Sequence, residues 1–244
     1  MEIIVTDTYE QLSTCAAKLI AQKIVEKPNA VLGLATGSTP VGVYKNLVDW
    51  YRQGKIDFAH VTTFNLDEYV GLPPGHEQSY CFFMQKHLFG HVNITPERRF
   101  IPNGLAQDFV QACDDYENSI KRFGGIDLQI LGIGRDGHIG FNEPGSLRDS
   151  RTRAVDLAPI TVQDNARFFE NNLNVVPTQA ITMGVATILE AHTCVLLANG
   201  AHKADILARA LCGPIDETVP ASFLQQHHNL IVIVDKEASR ELVR

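Results

Sequence analysis

Three residues within eight positions, Asp136, His138 and Glu143, have the types needed for acid–base chemistry, and they lie in the stretch Leu131–Pro144, LGIGRDGHIGFNEP. A histidine flanked by two carboxylates can be held in one tautomer, have its imidazolium stabilised, and pass a proton near neutral pH. The bland reading of His138 is a buried histidine satisfied by a neighbouring carboxylate. No metal is expected here, because the spacing matches no common zinc pattern and no second histidine lies nearby. Gly132, Gly134 and Gly137 satisfy G-x-G-x-x-G after a strand. Gly140, Asn142, Pro144 and Gly145 follow where a helix should open, which argues against a dinucleotide fingerprint.

Three further clusters also follow apolar runs. Thr36, Gly37, Ser38, Thr39 and Pro40 come after Val31–Ala35. Gly37 lets backbone amides approach a ligand, Ser38 and Thr39 add hydroxyl donors, and Pro40 suits the first turn of a helix whose positive end attracts phosphate. The alternative is an ordinary strand-to-helix turn. Asp67 and Glu68 come after Val61–Phe64, where Asp67 is either a helix cap or an acid sited to take a proton from carbon. Lys203 comes after Cys194–Ala198. Ligands of open α/β sheets bind outside the carboxyl ends of the strands, so the four clusters are predicted to converge on one edge.

The elements that must position them are legible as alternation. Ile3–Val5, Val31–Ala35, Val61–Phe64, Leu128–Ile133, Ala180–Met183, Cys194–Ala198 and Leu230–Val234 read as strands. Helical spacing of apolar residues separates many of them, first at Leu12, Cys15, Ala16, Leu19, Ile20 and Ile24, where Asp7 and Glu10 read as a capping box. Such alternation predicts an α/β fold, a mostly parallel sheet covered by helices on both faces in a three-layer αβα arrangement. The least regular stretch, 145–163, carries Arg148, Arg151 and Arg153 and reads as a mobile surface segment or lid.

Composition bounds the function. With 244 residues and 45% hydrophobic content the chain can bury one substantial core. A net charge of −7 without any basic run argues against a nucleic-acid surface. Five scattered cysteines, never spaced C-x-x-C, suggest reduced thiols, and no run is apolar enough to be a signal peptide or membrane span. A soluble cytoplasmic protein with no membrane partner is expected.

The motifs LATGSTP at Leu34–Pro40, TFNLDEYVGL at Thr63–Leu72, GIGRDGHIGFNEP at Gly132–Pro144, SRTR at Ser150–Arg153 and ARFF at Ala166–Phe169 carry a resemblance. Over nearly its whole length the chain resembles the glucosamine-6-phosphate deaminases. The sister 6-phosphogluconolactonases have a similar phosphate loop and a D-G-H segment, but are not expected to carry D-E-Y-V-G-L or F-N-E-P. The resemblance implies one catalytic domain over 1–244 with a Rossmann-like sheet. It implies conversion of glucosamine 6-phosphate and water into fructose 6-phosphate and ammonia, in amino-sugar catabolism, with no metal or organic cofactor. By the same resemblance His138 would move the proton that opens the sugar ring, with Asp136 and Glu143 orienting it. Asp67 would take the C2 proton and return it at C1. Thr36, Gly37, Ser38, Thr39, Arg167 and Lys203 would hold the phosphate, although from spacing alone Arg167 and Lys203 read as solvated surface charges.

Effector-regulated relatives carry a further basic residue where this chain has Ala154 and Val155. That departure argues against regulation by N-acetylglucosamine 6-phosphate and for a monomer or small homo-oligomer. The rival readings are a lactonase, a deaminase for the galactosamine epimer, and a non-catalytic sugar-phosphate sensor. A sensor would need a DNA-binding module, for which the first thirty residues offer one strand and one helix.

Overall fold

The apolar runs pair side by side and point the same way. The computed structural model describes residues 1–242. Its first half contains β1 (Glu2–Thr6), α1 (Tyr9–Glu26), β2 (Val31–Leu34), α2 (Val41–Arg52), β3 (Thr62–Asn65), β4 (Asp67–Tyr69), α3 (Tyr80–Met84), β5 (Arg99–Phe100) and α4 (Phe109–Arg122). The second half contains β6 (Leu128–Leu131), β7 (Arg153–Asp156), α5 (Pro159–Ala166), β8 (Gln179–Thr182), α6 (Val185–Leu189), β9 (Cys194–Ala198), α7 (Ala204–Cys212) and β10 (Leu230–Asp235).

Seven strands form one parallel sheet in the order β1-β10-β9-β6-β2-β3-β5. Every residue of β2, β6 and β9 is buried, as a sheet covered on both faces requires. The apolar stripe of α1, with Leu12, Ala16 and Ile20 fully buried, packs against α2 and the β1, β9 and β10 strands. Burying each Leu or Ile completely is worth about 1.5–3 kcal/mol. From β2 the chain builds outward through β3 to β5, whereas from β6 it builds the other way through β9 and β10. The β2–β6 junction is therefore a topological switch point, where loops diverge and leave a crevice at the carboxyl edge.

Three expectations change. Ala180–Met183 does form a strand, but β8 lies outside the parallel sheet, at the centre of a second, antiparallel one ordered β4-β8-β7. This small sheet has its own apolar cluster, including Tyr69, Phe141, Leu157, Phe169 and Val176. Within 145–163, the residues Arg153–Asp156 form edge strand β7 and Pro159 opens α5, so part of that stretch is regular. The capping box is displaced by one residue: Thr8 is the N-cap and accepts from the Gln11 N–H at 3.3 Å, while Gln11 Oε1 accepts from the Asp7 N–H at 2.8 Å. Both Asp7 and Thr8 are able caps, and Thr8 is the one adjacent to the first helical residue.

Candidate active site

The loop after β2 is fixed from beneath and open above. Gly37 adopts φ +99°, and a Cβ there would meet nothing within 4 Å. The Tyr44 hydroxyl donates to the Ala35 carbonyl at 2.5 Å. The Tyr9 hydroxyl points at the Ser38 and Thr39 carbonyls, 3.1 and 3.0 Å away, and accepts from the Gly42 N–H at 2.9 Å. The N-cap residue of α2, Pro40, makes no side-chain cap bond, Tyr9 takes up only the Gly42 N–H of the first turn, and Ser38 is exposed, which leaves the positive end of that helix beside an open loop. Thr39 Oγ1 lies 3.1 Å from Asn199 Oδ1, which joins this loop to the one after β9.

Asp67 and Glu68 are adjacent, yet they have opposite situations. Glu68 is fully engaged, accepting from the Tyr69 and Tyr80 N–H groups through Oε1 and from Cys81 through Oε2, at 2.8 to 2.9 Å. It thereby anchors the start of α3. Burial raises its carboxyl above the ordinary range, with the three donors opposing. The Asp67 carboxyl is 6% exposed and has no hydrogen-bonding or ionic partner among the described residues. Burial first, and the Glu68 charge second, push it up to about 8. The low-dielectric wall responsible includes Tyr69, Tyr80 and Phe141, with the rings of Tyr80 and Phe141 stacked at 6.1 Å. Asp67 is not a helix cap; it sits on β4, opposite Thr182 of β8.

The loop after β6 lies across this carboxyl. Gly140 adopts φ +60°, and a Cβ on it would stand 3.4 Å from Asp67 Oδ2 and 2.8 Å from Thr182 Oγ1. Only a residue without a side chain lets the backbone approach so closely. In the same loop His138 Nδ1 lies 2.7 Å from Asp136 Oδ1, although no well-aligned hydrogen bond is made at Nδ1. The His138 N–H also donates to Asp136 Oδ1, at 3.2 Å. Burial pushes the Asp136 carboxyl up, but the bonds and charge from His138 outweigh it, and the acid is held below its ordinary value.

Glu143 stands apart from this pair. Its Oε2 accepts from the Ala158 N–H at 2.7 Å, its Oε1 is buried without a hydrogen-bond partner, and no ion pair joins it to His138 among the described residues. It lines a pocket of about 450 Å³ with Phe141, Ser146, Ser150 and Arg153. The pocket meets the site at Phe141 and Glu143, and neither Asp67 nor His138 lines it.

The two cations come from different elements. Lys203 is half-buried and its Nζ donates to the Ile133 carbonyl at 2.8 Å, which places it over the start of the β6 loop. Arg167, at the end of α5, is exposed, stacks over the Phe168 ring at 4.7 Å, and its charge is felt by Tyr69 and His202. Sequence reasoning missed Gly140 and Thr182: Gly140 was visible only as a helix breaker, and Thr182 only as part of a strand. Among the described residues no group of three or more His, Cys, Asp or Glu side chains could hold a metal ion.

A crevice with an open backbone cradle, a buried carboxyl and a His–Asp pair can bind a small anion and move protons on it, which is the work of an acid–base enzyme. Residues 5–233 match the family described as glucosamine-6-phosphate isomerases/6-phosphogluconolactonase, and the chain belongs to that family. It is 52% identical to the glucosamine-6-phosphate deaminase of Lachnoclostridium phytofermentans, over 96% of this chain and 98% of that protein. It is 51% identical to glucosamine-6-phosphate deaminase 2 of Bacillus subtilis, over 99% and 98% of the two chains. Among solved structures, a monomeric glucosamine-6-phosphate deaminase superposes with a TM-score of 0.96 at 45% identity, covering 99% of this chain and all of that one.

Proposed function

We propose that this protein is a glucosamine-6-phosphate deaminase, converting glucosamine 6-phosphate and water into fructose 6-phosphate and ammonia. The observation that carries the reading is Asp67, a buried carboxyl without a hydrogen-bonding or ionic partner among the described residues, lying under the loop that bears His138. A carbon-bound proton is weakly acidic, and a desolvated base with a raised pKa is suited to removing it.

The phosphate docks on Thr36, Gly37, Ser38 and Thr39, with Lys203 and Arg167 supplying charge. His138, oriented by Asp136, carries the proton from the anomeric hydroxyl to the ring oxygen, and the sugar opens. Asp67 then takes the C2 proton and delivers it to C1, while the carbonyl oxygen on C1 gains a proton and the amine gives one up, leaving an imine at C2. Water adds to that carbon, and the C–N bond breaks to release ammonia. Glu143 has one oxygen fixed by Ala158 and the other unengaged, and in this reading it assists His138 at ring opening once substrate is bound.

The same reading treats 1–244 as one catalytic domain in which 145–163 closes over the sugar. It also takes the protein to act in the cytoplasm as a monomer or small oligomer. All five cysteines are free, and no helix among the described residues is long and apolar enough to cross a membrane.

Purified protein with chelator present, given glucosamine 6-phosphate, galactosamine 6-phosphate and 6-phosphogluconolactone separately, tests it. Equal release of ammonium and fructose 6-phosphate from the first substrate is expected. Reaction confined to the lactone or to the galactosamine epimer would overturn the assignment.

A further inference from the structure

The buried base and the histidine loop are tied to the same short run of backbone. In the small antiparallel sheet, Thr182 of β8 stands opposite Asp67 of β4 and opposite Arg153 of β7. Directly opposed residues of antiparallel strands share a face, so Asp67, Thr182 and Arg153 form one row across it. The loop after β6 crosses this row. Its Gly140 passes beside Asp67 and Thr182, and its Phe141 N–H donates to Thr182 Oγ1 at 3.0 Å.

Asn142 completes the attachment. It is wholly buried, and both its N–H groups and its oxygen are engaged. Nδ2 donates to the Ile139 carbonyl at 2.9 Å and to the Met183 carbonyl at 2.7 Å, while Oδ1 accepts from Arg153 Nη1 at 2.9 Å. A guanidinium only donates and a backbone carbonyl only accepts, so the amide fits one way round. The Met183 N–H in turn donates to the Leu66 carbonyl at 2.7 Å. Met183 is therefore bonded through its N–H to the residue before Asp67, and through its oxygen to the loop in which Ile139 follows His138. The Asp67 carboxyl has no hydrogen-bonding partner of its own among the described residues, so these backbone attachments set where it stands relative to His138.

We propose that Asn142 and Thr182 are positioning residues, which clamp the histidine loop at a fixed distance from Asp67. Neither needs to touch the substrate. The proposal rests on the sugar-phosphate reading above, in which His138 and Asp67 act in turn on one substrate held by its phosphate. Two such groups must keep one spacing, because reacting atoms displaced by about 1 Å lose rate steeply. The phosphate cradle lies on the loop after β2, and no hydrogen bond joins it to Asn142 or Thr182 among the described residues. Loosening the clamp therefore costs turnover and spares binding.

Two isosteric substitutions cut the clamp at different residues. Asn142→Asp sets a carboxylate oxygen against the Ile139 and Met183 carbonyls, and Thr182→Val leaves the Phe141 N–H without its acceptor. Glucosamine 6-phosphate deuterated at C2 is the probe. Each variant is expected to lower kcat by at least about tenfold while KM stays within about twofold of wild type. The share of deuterium delivered to C1 should fall by about half or more, because slower transfer gives solvent time to exchange the hydrogen held on Asp67. That share belongs to each turnover, so a variant that merely folds in smaller yield leaves it unchanged. Thr182→Ser, which restores the hydroxyl, should recover both kcat and the deuterium share. If Asn142→Asp yields no folded protein, the comparison of Thr182→Val with Thr182→Ser decides. An unchanged deuterium share in the active variants, or a raised KM with kcat intact, would overturn the clamp while the deaminase reading stands. Wild type that releases neither ammonium nor fructose 6-phosphate would overturn that reading, and the clamp with it.

Discussion

Asp67 Oδ2 lies 3.4 Å from the point where Gly140 would carry a Cβ, so the base and the backbone of the histidine loop are in near contact across two different sheets. Gly140→Ala would place a methyl group 2.8 Å from Thr182 Oγ1 at φ +60°. The left-handed conformation alone costs about 1–2 kcal/mol for a residue with a Cβ. We expect Gly140→Ala to lower stability by about 1–3 kcal/mol and kcat by at least roughly tenfold, because small misplacements of reacting groups are expensive. Unchanged kcat in a variant with the expected loss of Tm would show that this contact does not set catalytic geometry.

Asp67 should make the protein less stable as pH rises. Its folded pKa, about 8, lies above the ordinary aspartate value of 3.8, so between those values the folded state holds a proton that the unfolded chain has lost. Stability then falls with increasing pH across that window, by about 1.4 kcal/mol for each unit of pKa difference at most. Asp67→Asn removes the effect. Urea unfolding at pH 5 and pH 8 should show Asp67→Asn gaining on wild type at the higher pH, and a constant difference would refute the buried, uncompensated carboxyl.

The same ionisation should govern the free enzyme. Because Asp67 must be charged to act as base, kcat/KM should climb toward pH 8 along a single-proton limb. A profile flat from pH 6 to pH 9 would mean that another group sets the rate.

His138 and Asp136 should act as a unit at ring opening. His138→Gln is expected to slow the cyclic substrate by about 10²–10⁴-fold and to affect an open-chain analogue far less. Asp136→Asn should reproduce the selectivity in weaker form, since Asp136 Oδ1 lies 2.7 Å from the ring and accepts from its backbone. Equal losses on both substrates would remove ring opening from their role.

Glu117 should matter for folding alone. From α4 it accepts from Arg151, from the Thr152 N–H at 2.9 Å and hydroxyl at 2.6 Å, and from the Thr187 hydroxyl at 2.5 Å. Burial raises this carboxyl, but the donors outweigh it and hold it low. Its contribution is present above the unfolded value and is lost as pH falls through the folded one. Glu117→Ala should cost about 3–5 kcal/mol by leaving the Thr152 N–H and the Thr152 and Thr187 hydroxyls without their acceptor, while Arg151 keeps Glu190. A change in Tm of only a degree or two would contradict that.

Much of this was legible because β2 and β9 are unbroken apolar runs and β6 is broken only by Gln129, as a doubly covered sheet requires. The loops that follow them marked the carboxyl edge, and Lys203 Nζ on the Ile133 carbonyl joins two of those loops. What stayed hidden has physical reasons. Ala180–Met183 reads as a buried strand whichever sheet it joins, since burial does not encode partner or direction. Strand β7, RAVD, lies on an edge with alternating exposure and no apolar run to betray it. Glu143 is near His138 in sequence, but its carboxylate is drawn to the Ala158 N–H, a partner fifteen residues away.

The most direct measurement uses glucosamine 6-phosphate carrying deuterium at C2, turned over by wild type and by Asp67→Asn side by side. If Asp67 carries hydrogen from C2 to C1, wild type will show a primary isotope effect and leave part of the deuterium on C1 of fructose 6-phosphate. Asp67→Asn will be slower by at least roughly a hundredfold. Near-normal turnover by Asp67→Asn, with deuterium still delivered to C1, would contradict the assignment of Asp67 as the base.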